Sequence, residues 1–228
     1  MTTVYLIPSF LSDDAVETIP PYVLDAVKNC QVIFAENERT ARRFLKTLDK
    51  SIVIDAFEWY AIHKAETEQI ANFKALAKAG KQIAIISEAG CPGIADPGQV
   101  LIAVAQELNC IVKPLVGPSS ILLALMASGM SGQSFSFVGY LPVAAAERAT
   151  RIQALERRAG AEGQTQIVIE TPYRNQALFD ALIEALSPDT LVGVATDLTL
   201  PQEQVRVATV AQWRQSPPSL PRSPTVFT

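Results

Sequence analysis

Ile86-Ser87-Glu88-Ala89-Gly90-Cys91-Pro92-Gly93-Ile94-Ala95-Asp96-Pro97-Gly98 follows directly on the apolar run at 83–86. The run reads as a buried strand and the stretch after it as a loop of small residues. In open α/β sheets, ligands sit beyond the carboxyl ends of strands, where such a loop can approach them with its backbone. Its glycines permit positive φ and close approach. A tight turn needs only about two or three residues of this kind, so a stretch of this length reads as a ligand loop.

Working outward, short apolar or β-branched runs at 4–7, 32–35, 52–54, 83–86 and 111–116 alternate with helical patterns at 21–29 and 65–79. That alternation predicts a largely parallel sheet covered by helices. Gly80 is the expected stop for the second helix. The second half repeats the style with strands at 135–138, 166–169, 191–195 and 204–207 and helices at 148–158 and 175–186. Gly117-Pro118-Ser119-Ser120 begins the crossing between halves, with Pro118 and the serines suited to opening a helix through Met126. The expected class is thus α/β, with an N-terminal lobe over 1–117, a largely parallel sheet, and a second, mixed lobe over 118–228. The Pro/Ser-rich 216–224 is either a linker before a last strand or a disordered tail.

The chain has 228 residues, 49% hydrophobic and 18% charged, the balance of a globular enzyme with a sizeable core. No apolar run approaches the roughly 20 residues that span a bilayer, and the start shows no secretory signal pattern, so the expected location is the cytoplasm and no membrane partner is expected. Cys30, Cys91 and Cys110 form no CxxC pair and His63 stands alone, so neither a disulfide framework nor a bound metal is expected. The net charge of −4 gives no global pull toward nucleic acid. Any such binding rests on local patches, at Arg39, Arg42 and Arg43 or at Arg148, Arg151, Arg157 and Arg158, which solvated helix faces explain about as well.

Other signatures fail. There is no GxGxxG and no GxxxxGK[ST]. In Gly129-Met130-Ser131-Gly132-Gln133, glutamine stands where a nucleophile elbow needs glycine, so the segment reads as the close of the helix before it.

Ser87 to Gly98 resembles the SDAGTPxxSDPG segment of the tetrapyrrole methylase superfamily, in particular its branch of ribosomal RNA 2′-O-ribose methyltransferases. Tyr5-Leu6-Ile7-Pro8 is similar to that family's opening strand and loop, and Val116-Gly117-Pro118-Ser119-Ser120 to its PGPxA element. Phe137-Val138-Gly139-Tyr140-Leu141-Pro142 resembles FxGFLP, Glu170-Thr171-Pro172-Tyr173-Arg174 resembles YEsxhR, and Ala195-Thr196-Asp197-Leu198-Thr199 resembles ARELT. Where the RNA branch has AEDTR this chain has Ala35-Glu36-Asn37-Glu38-Arg39, and TPIGN becomes Ser9-Phe10-Leu11-Ser12-Asp13.

The resemblance implies a two-lobed homodimer that binds S-adenosylmethionine in the cleft between lobes. The implied contacts are Pro8, Gly90, Cys91, Pro92, Ile94, Ala95, Gly117, Pro118, Ser119, Ser120, Thr171, Pro172, Ala195 and Ala208. It implies methyl transfer, with ribosomal RNA of the small subunit as acceptor; a tetrapyrrole or other small molecule, or a cofactor-binding module without catalysis, are the alternatives. A hydroxyl acceptor calls for a general base. Glu38, Glu88 and Asp96 are the candidates because they lie on loops after predicted strands, although Asp96 could equally cap a turn and Glu38 pair with Arg42. Arg39, Arg42, Arg43 and Arg174 are the candidates for phosphate contact, by charge and fork geometry.

Overall fold

A computed structural model describes residues 1–63 and 66–228, in two compact units, Met1–Ser119 and Ser120–Thr228. The first unit runs β1 (Thr3–Ile7), α1 (Tyr22–Lys28), β2 (Val32–Ala35), α2 (Glu38–Leu48), β3 (Glu58–Ala61), α3 (Ile70–Lys78), β4 (Ile83–Ile86), α4 (Gln99–Glu107) and β5 (Ile111–Pro114). Its sheet has the order β3-β2-β4-β1-β5 with every pair parallel. β4 lies at the centre and is apolar on both faces because both are covered. Ala84 and Ile86 pack with α1 and α2, through Val23, Val27, Phe44 and Leu45. Ile83 and Ile85 pack with α3 and α4, through Phe73, Leu101 and Val104.

The second unit runs α5 (Ser120–Ser128), β6 (Phe135–Gly139), α6 (Ala145–Glu162), β7 (Thr165–Ile169), α7 (Asn175–Ala185), β8 (Leu191–Thr196), β9 (Gln204–Thr209), α8 (Val210–Gln215) and β10 (Thr225–Phe227). Its sheet is mixed, in the order β6-β7-β10-β8-β9, with only β6 and β7 parallel. The core gathers Leu155, Leu178, Phe179, Val192, Trp213 and Phe227. Trp213 is buried and donates its indole N–H to the Val192 carbonyl at 2.9 Å, which satisfies its one polar atom. α6 stops at Gly163, which takes the left-handed conformation (φ 59°) that helix ends favour.

The structure corrects the expected strand at 52–54. Ile52 is buried but Val53 is 66% exposed, and Ile54–Ala56 forms a 3-10 turn. The third strand is instead Glu58–Ala61, an edge strand whose Tyr60 stacks on Phe34 at 4.8 Å between ring centroids. The predicted strand at 111–116 ends at Pro114. Of the helix expected over 65–79, residue 65 lies outside the described residues; Thr67–Gln69 is a 3-10 turn, and α3 ends just before Gly80, which has φ 76°. The segment 216–224 is a linker to a last strand, β10, which inserts between β7 and β8. Among the described residues no helix is long and apolar enough to cross a membrane.

Candidate functional site

β1 and β4 are neighbours in the first unit's sheet, yet the chain leaves them toward opposite faces. From β1 it enters α1, in one core layer, and continues to β2; from β4 it enters α4, in the other, and continues to β5. Loops that part in this way open a crevice at the carboxyl ends of the strands. Here the two loops are tied at its base. Ser9 N–H donates to the Gly90 carbonyl at 2.8 Å, Gly90 N–H donates to the Ser9 carbonyl at 3.0 Å, and the Ser9 hydroxyl donates to the Ser87 carbonyl at 2.9 Å.

Backbone conformation dominates the long loop after β4. Gly90 takes φ 70°, and Ala95, which is not glycine, takes φ 65°, a cost of about 1 kcal/mol that the surrounding contacts must hold in place. Gly117 follows β5 and its carbon abuts Pro8: a Cβ there would lie 2.2 Å from Pro8 Cβ. The Cys91 thiol reaches the Pro118 carbonyl at 3.6 Å, so Pro8, Gly90, Cys91, Gly117 and Pro118 form one contiguous surface. Pro92 is buried, while Ile94 and Ala95 are exposed.

Glu36, at the end of β2, is a residue that the sequence reading passed over as a functional group. It is 8% exposed; its carboxylate accepts the Glu88 N–H at 2.8 Å and faces His63 Nδ1 at 3.7 Å. Its signal was the position itself, a carboxylate directly after a fully buried strand. Glu88 in turn accepts the Thr40 hydroxyl at 2.9 Å. Asp96 completes a group of three carboxyls. Burial, then the charges of Glu36 and Glu88, push its pKa up to about 7. Glu38, by contrast, is paired with Arg42 at 3.2 Å.

Asn37 explains the altered motif at the start of α2. Its side chain accepts the Arg39 and Thr40 N–H groups and so caps the helix, which asparagine does as well as aspartate. The arginines that follow differ in availability. Arg42 lies over Trp59 at 4.9 Å as well as pairing with Glu38, and Arg43 pairs with Asp13 at 3.1 Å. Arg39 is exposed and has no ion-pair partner among the described residues. A small cavity of about 80 Å³ opens beside them, walled by Leu11, Asp13, Thr40, Arg43, Glu88 and Ala89 among others.

In the second unit, Glu170 directly follows β7, almost fully buried; it accepts the Thr171 N–H at 2.7 Å and pairs with Arg174 at 2.7 Å. It thereby fixes the 3-10 turn Pro172–Arg174. Ala195 and Ala208 are buried in β8 and β9. A larger apolar cavity of about 450 Å³, walled by Leu155, Leu182, Val192 and Phe227 among others, includes none of Thr171, Pro172, Ala195 or Ala208.

Comparison with known proteins places these observations. The profile of the tetrapyrrole (corrin/porphyrin) methylases matches residues 14–213. A protein of Mesorhizobium japonicum named ribosomal RNA small subunit methyltransferase I is 31% identical over 82% of this chain and 61% of its own length. The protein of that name in Bacillus subtilis is 29% identical over 93% of this chain and 69% of its own. The chain thus spans about three-fifths to two-thirds of the length of these relatives. Among solved structures, the methyltransferase CobJ shares the fold with a TM-score of 0.64 at 15% identity, over 99% of this chain and 92% of its own. Uroporphyrin-III C-methyl transferase of Thermus thermophilus, solved with S-adenyl homocysteine, does so at 0.58 and 14%, over 99% and 96%.

Proposed function

This chain belongs to the tetrapyrrole (corrin/porphyrin) methylase family, and from that premise we propose that it is an S-adenosylmethionine-dependent methyltransferase whose acceptor is a ribose 2′-hydroxyl of small-subunit ribosomal RNA. The observation that carries the reading is the paired loops after β1 and β4, where Gly90 bridges to Ser9 and Gly117 abuts Pro8, in a chain whose curated relatives bear the name of a small-subunit RNA methyltransferase. A homodimer, on the ground of the family resemblance, and a cytoplasmic location belong to the same proposal.

The residues fit the cofactor. A Cβ at Gly90 would make only ordinary contacts, 3.5 Å from Leu11 and 3.6 Å from the Pro118 carbonyl, so the φ of 70° selects glycine there, and a bulky side chain would fill the space beyond. Pro8, Cys91, Pro92, Ile94, Ala95, Pro118, Ser119 and Ser120 offer backbone and small polar groups suited to adenine, ribose and an amino-acid end. Thr171, Pro172, Ala195 and Ala208 of the second unit are proposed contacts on the ground of the resemblance. S-adenosylmethionine supplies a methyl group on a sulfonium, already activated for displacement.

What the protein adds is alignment and a proton acceptor. Holding the acceptor oxygen at about 3–3.5 Å from the methyl carbon accounts for much of the acceleration in reactions of this kind. Asp96 is the preferred base: with a pKa near 7 it is partly ionised at neutral pH and can take the hydroxyl proton as the oxygen attacks. Glu38 is engaged by Arg42, and Glu88 by Thr40. Arg39, free of ion pairs among the described residues, is the first phosphate contact; Arg42, Arg43 and Arg174 would each have to loosen a carboxylate to serve.

Isothermal titration with S-adenosylmethionine, run on the wild type and on Gly90→Trp, tests the site, and methyl transfer to small ribosomal subunits tests the acceptor. The expected result is binding that is lost in the variant and labelling of RNA by the wild type. A folded wild type that binds no cofactor, with or without subunits present, overturns the reading. Binding with transfer only to small molecules overturns the acceptor.

A further inference from the structure

The carboxyl ends of β6 and β7 in the second unit carry two tyrosines that the proposed methyl transfer does not use. Tyr140 follows β6 directly, next to the buried Leu141, and is 56% exposed. Tyr173 lies in the 3-10 turn after β7 and is 71% exposed. Arg174 lies over the Tyr173 ring at 5.9 Å, and its Nη2 is held by Glu170 at 2.7 Å. β6 and β7 run parallel with Gly139 paired to Val168, which brings Tyr140 to the same sheet end as the turn that carries Tyr173 and Arg174. The loop after β6 is tied down as well, since Arg148 donates to the Val143 carbonyl at 3.2 Å.

We propose that Tyr140, Tyr173 and Arg174 form a stacking clamp that takes an unpaired nucleobase of a single-stranded RNA. The proposal rests on the RNA reading above and names the surface that would recognise such an acceptor. Unstacked bases bind proteins by laying their faces on aromatic rings or on the guanidinium plane of arginine. Both kinds of surface are present here on one sheet end. Glu170, 8% exposed, holds the arginine in place in advance, and the backbone of each tyrosine follows directly on a strand or lies in its turn. A local device of this kind is also what a chain of net charge −4 requires, because it has no global attraction for a polyanion. The exposed side chains are amphipathic aromatics around a cation rather than an aliphatic patch, which favours a base over an apolar protein partner; Val143, 69% exposed, is the aliphatic residue nearby in sequence.

Fluorescence anisotropy with a labelled 12-nucleotide single-stranded RNA, using the full chain, decides the matter for wild type, Tyr140→Ala, Tyr173→Ala and Tyr173→Phe. Both tyrosines are exposed, so the variants should fold, as circular dichroism will verify. Each alanine variant is expected to weaken binding by roughly 5- to 100-fold, the worth of one stacked base, while phenylalanine stays within about twofold. The salt dependence of binding should not change in the alanine variants, since no phosphate contact is removed. Alanine variants that bind RNA as the wild type does, while the wild type methylates ribosomal subunits, overturn the clamp and leave the proposed function standing. A wild type that neither binds RNA nor labels subunits overturns both. Unchanged RNA affinity together with conversion of a dimer to a monomer on sedimentation would make this surface an interface between copies, and the clamp would again be overturned.

Discussion

The two sheets are finished at their carboxyl ends in opposite ways. In the first unit, the loops after β1, β4 and β5 work through backbone: Gly90 and Ala95 take positive φ, Gly117 lies too close to Pro8 for a side chain, and three carboxyls gather beside them. In the second unit, the loops after β6 and β7 work through side chains, with Tyr140 and Tyr173 exposed and Arg174 held by a buried Glu170. A backbone surface tolerates almost no added atom, whereas a side-chain surface can be trimmed one group at a time. Mutations should therefore act as switches in the first region and as graded changes in the second.

The largest effect is expected at Gly117. A Cβ there would lie 2.2 Å and 2.4 Å from Pro8 atoms, so Gly117→Val must displace one of the loops. S-adenosylmethionine affinity should fall by at least about 100-fold, a loss of roughly 3 kcal/mol, measured by titration calorimetry. Retention of near-normal affinity would show that this surface is not the rigid element described here. Next is Asn37→Ala, which removes the cap of α2 and should cost about 1 kcal/mol, lowering the melting temperature by about 2–4 °C. Calorimetric melts check it, and the cofactor affinity should hardly change.

Asp96 gives a pH-dependent effect. Its folded pKa near 7 lies above its ordinary 3.8, so the associated stability is fully present below about pH 4 and is lost as pH rises through 7. Asp96→Asn lacks that decline and should melt higher than the wild type at pH 8 and not at pH 4. Because the group is partly solvated, the gain is only about 1 kcal/mol. The same variant should lose the rise in methyl transfer through pH 7 that a carboxylate base produces. The smallest effect separates the arginines. Arg39→Gln should reduce the salt slope of RNA binding by about 1, while Arg43→Gln, whose side chain already answers Asp13, should reduce it less. Equal slopes would show that the Arg43–Asp13 pair opens freely on binding.

The same contrast governs what was legible in the sequence. β1, β2, β4 and the four strands 135–209 announced themselves as apolar runs, because burial on one or both faces demands such residues. The ligand loop was legible for a related reason: backbone function selects glycine, proline and alanine, and a cluster of these is conspicuous. β3 was misplaced because Ile52 and Ile54 carry the stronger β-branched signal, while the strand itself is an edge, Glu-Trp-Tyr-Ala, half of it facing solvent. α4 escaped notice because residues 100–105 form an unbroken apolar run, which pattern alone cannot tell from a buried strand. Roles that depend on a partner distant in sequence left no local mark. Glu36 meets Glu88 across 52 positions, and Thr40 meets Glu88 across 48. The Glu38–Arg42 pair was legible from its i,i+4 spacing, whereas the Arg43–Asp13 pair, 30 positions apart, could be read only from the fold.

β10 sits between β7 and β8, with Val226 facing Ile169 on one side and Ala195 on the other. The first unit has all its strands once residue 114 has been synthesised, whereas the second has two unpaired inner edges until residues 225–227 arrive. During translation, then, the amino-terminal unit can consolidate early while β7 and β8 wait with exposed backbone groups, the state in which strands pair with the wrong neighbour. The three residues of β10 thus act as the closing stitch of the slower half, and their loss should appear first as poor yield and aggregation rather than as a change in chemistry.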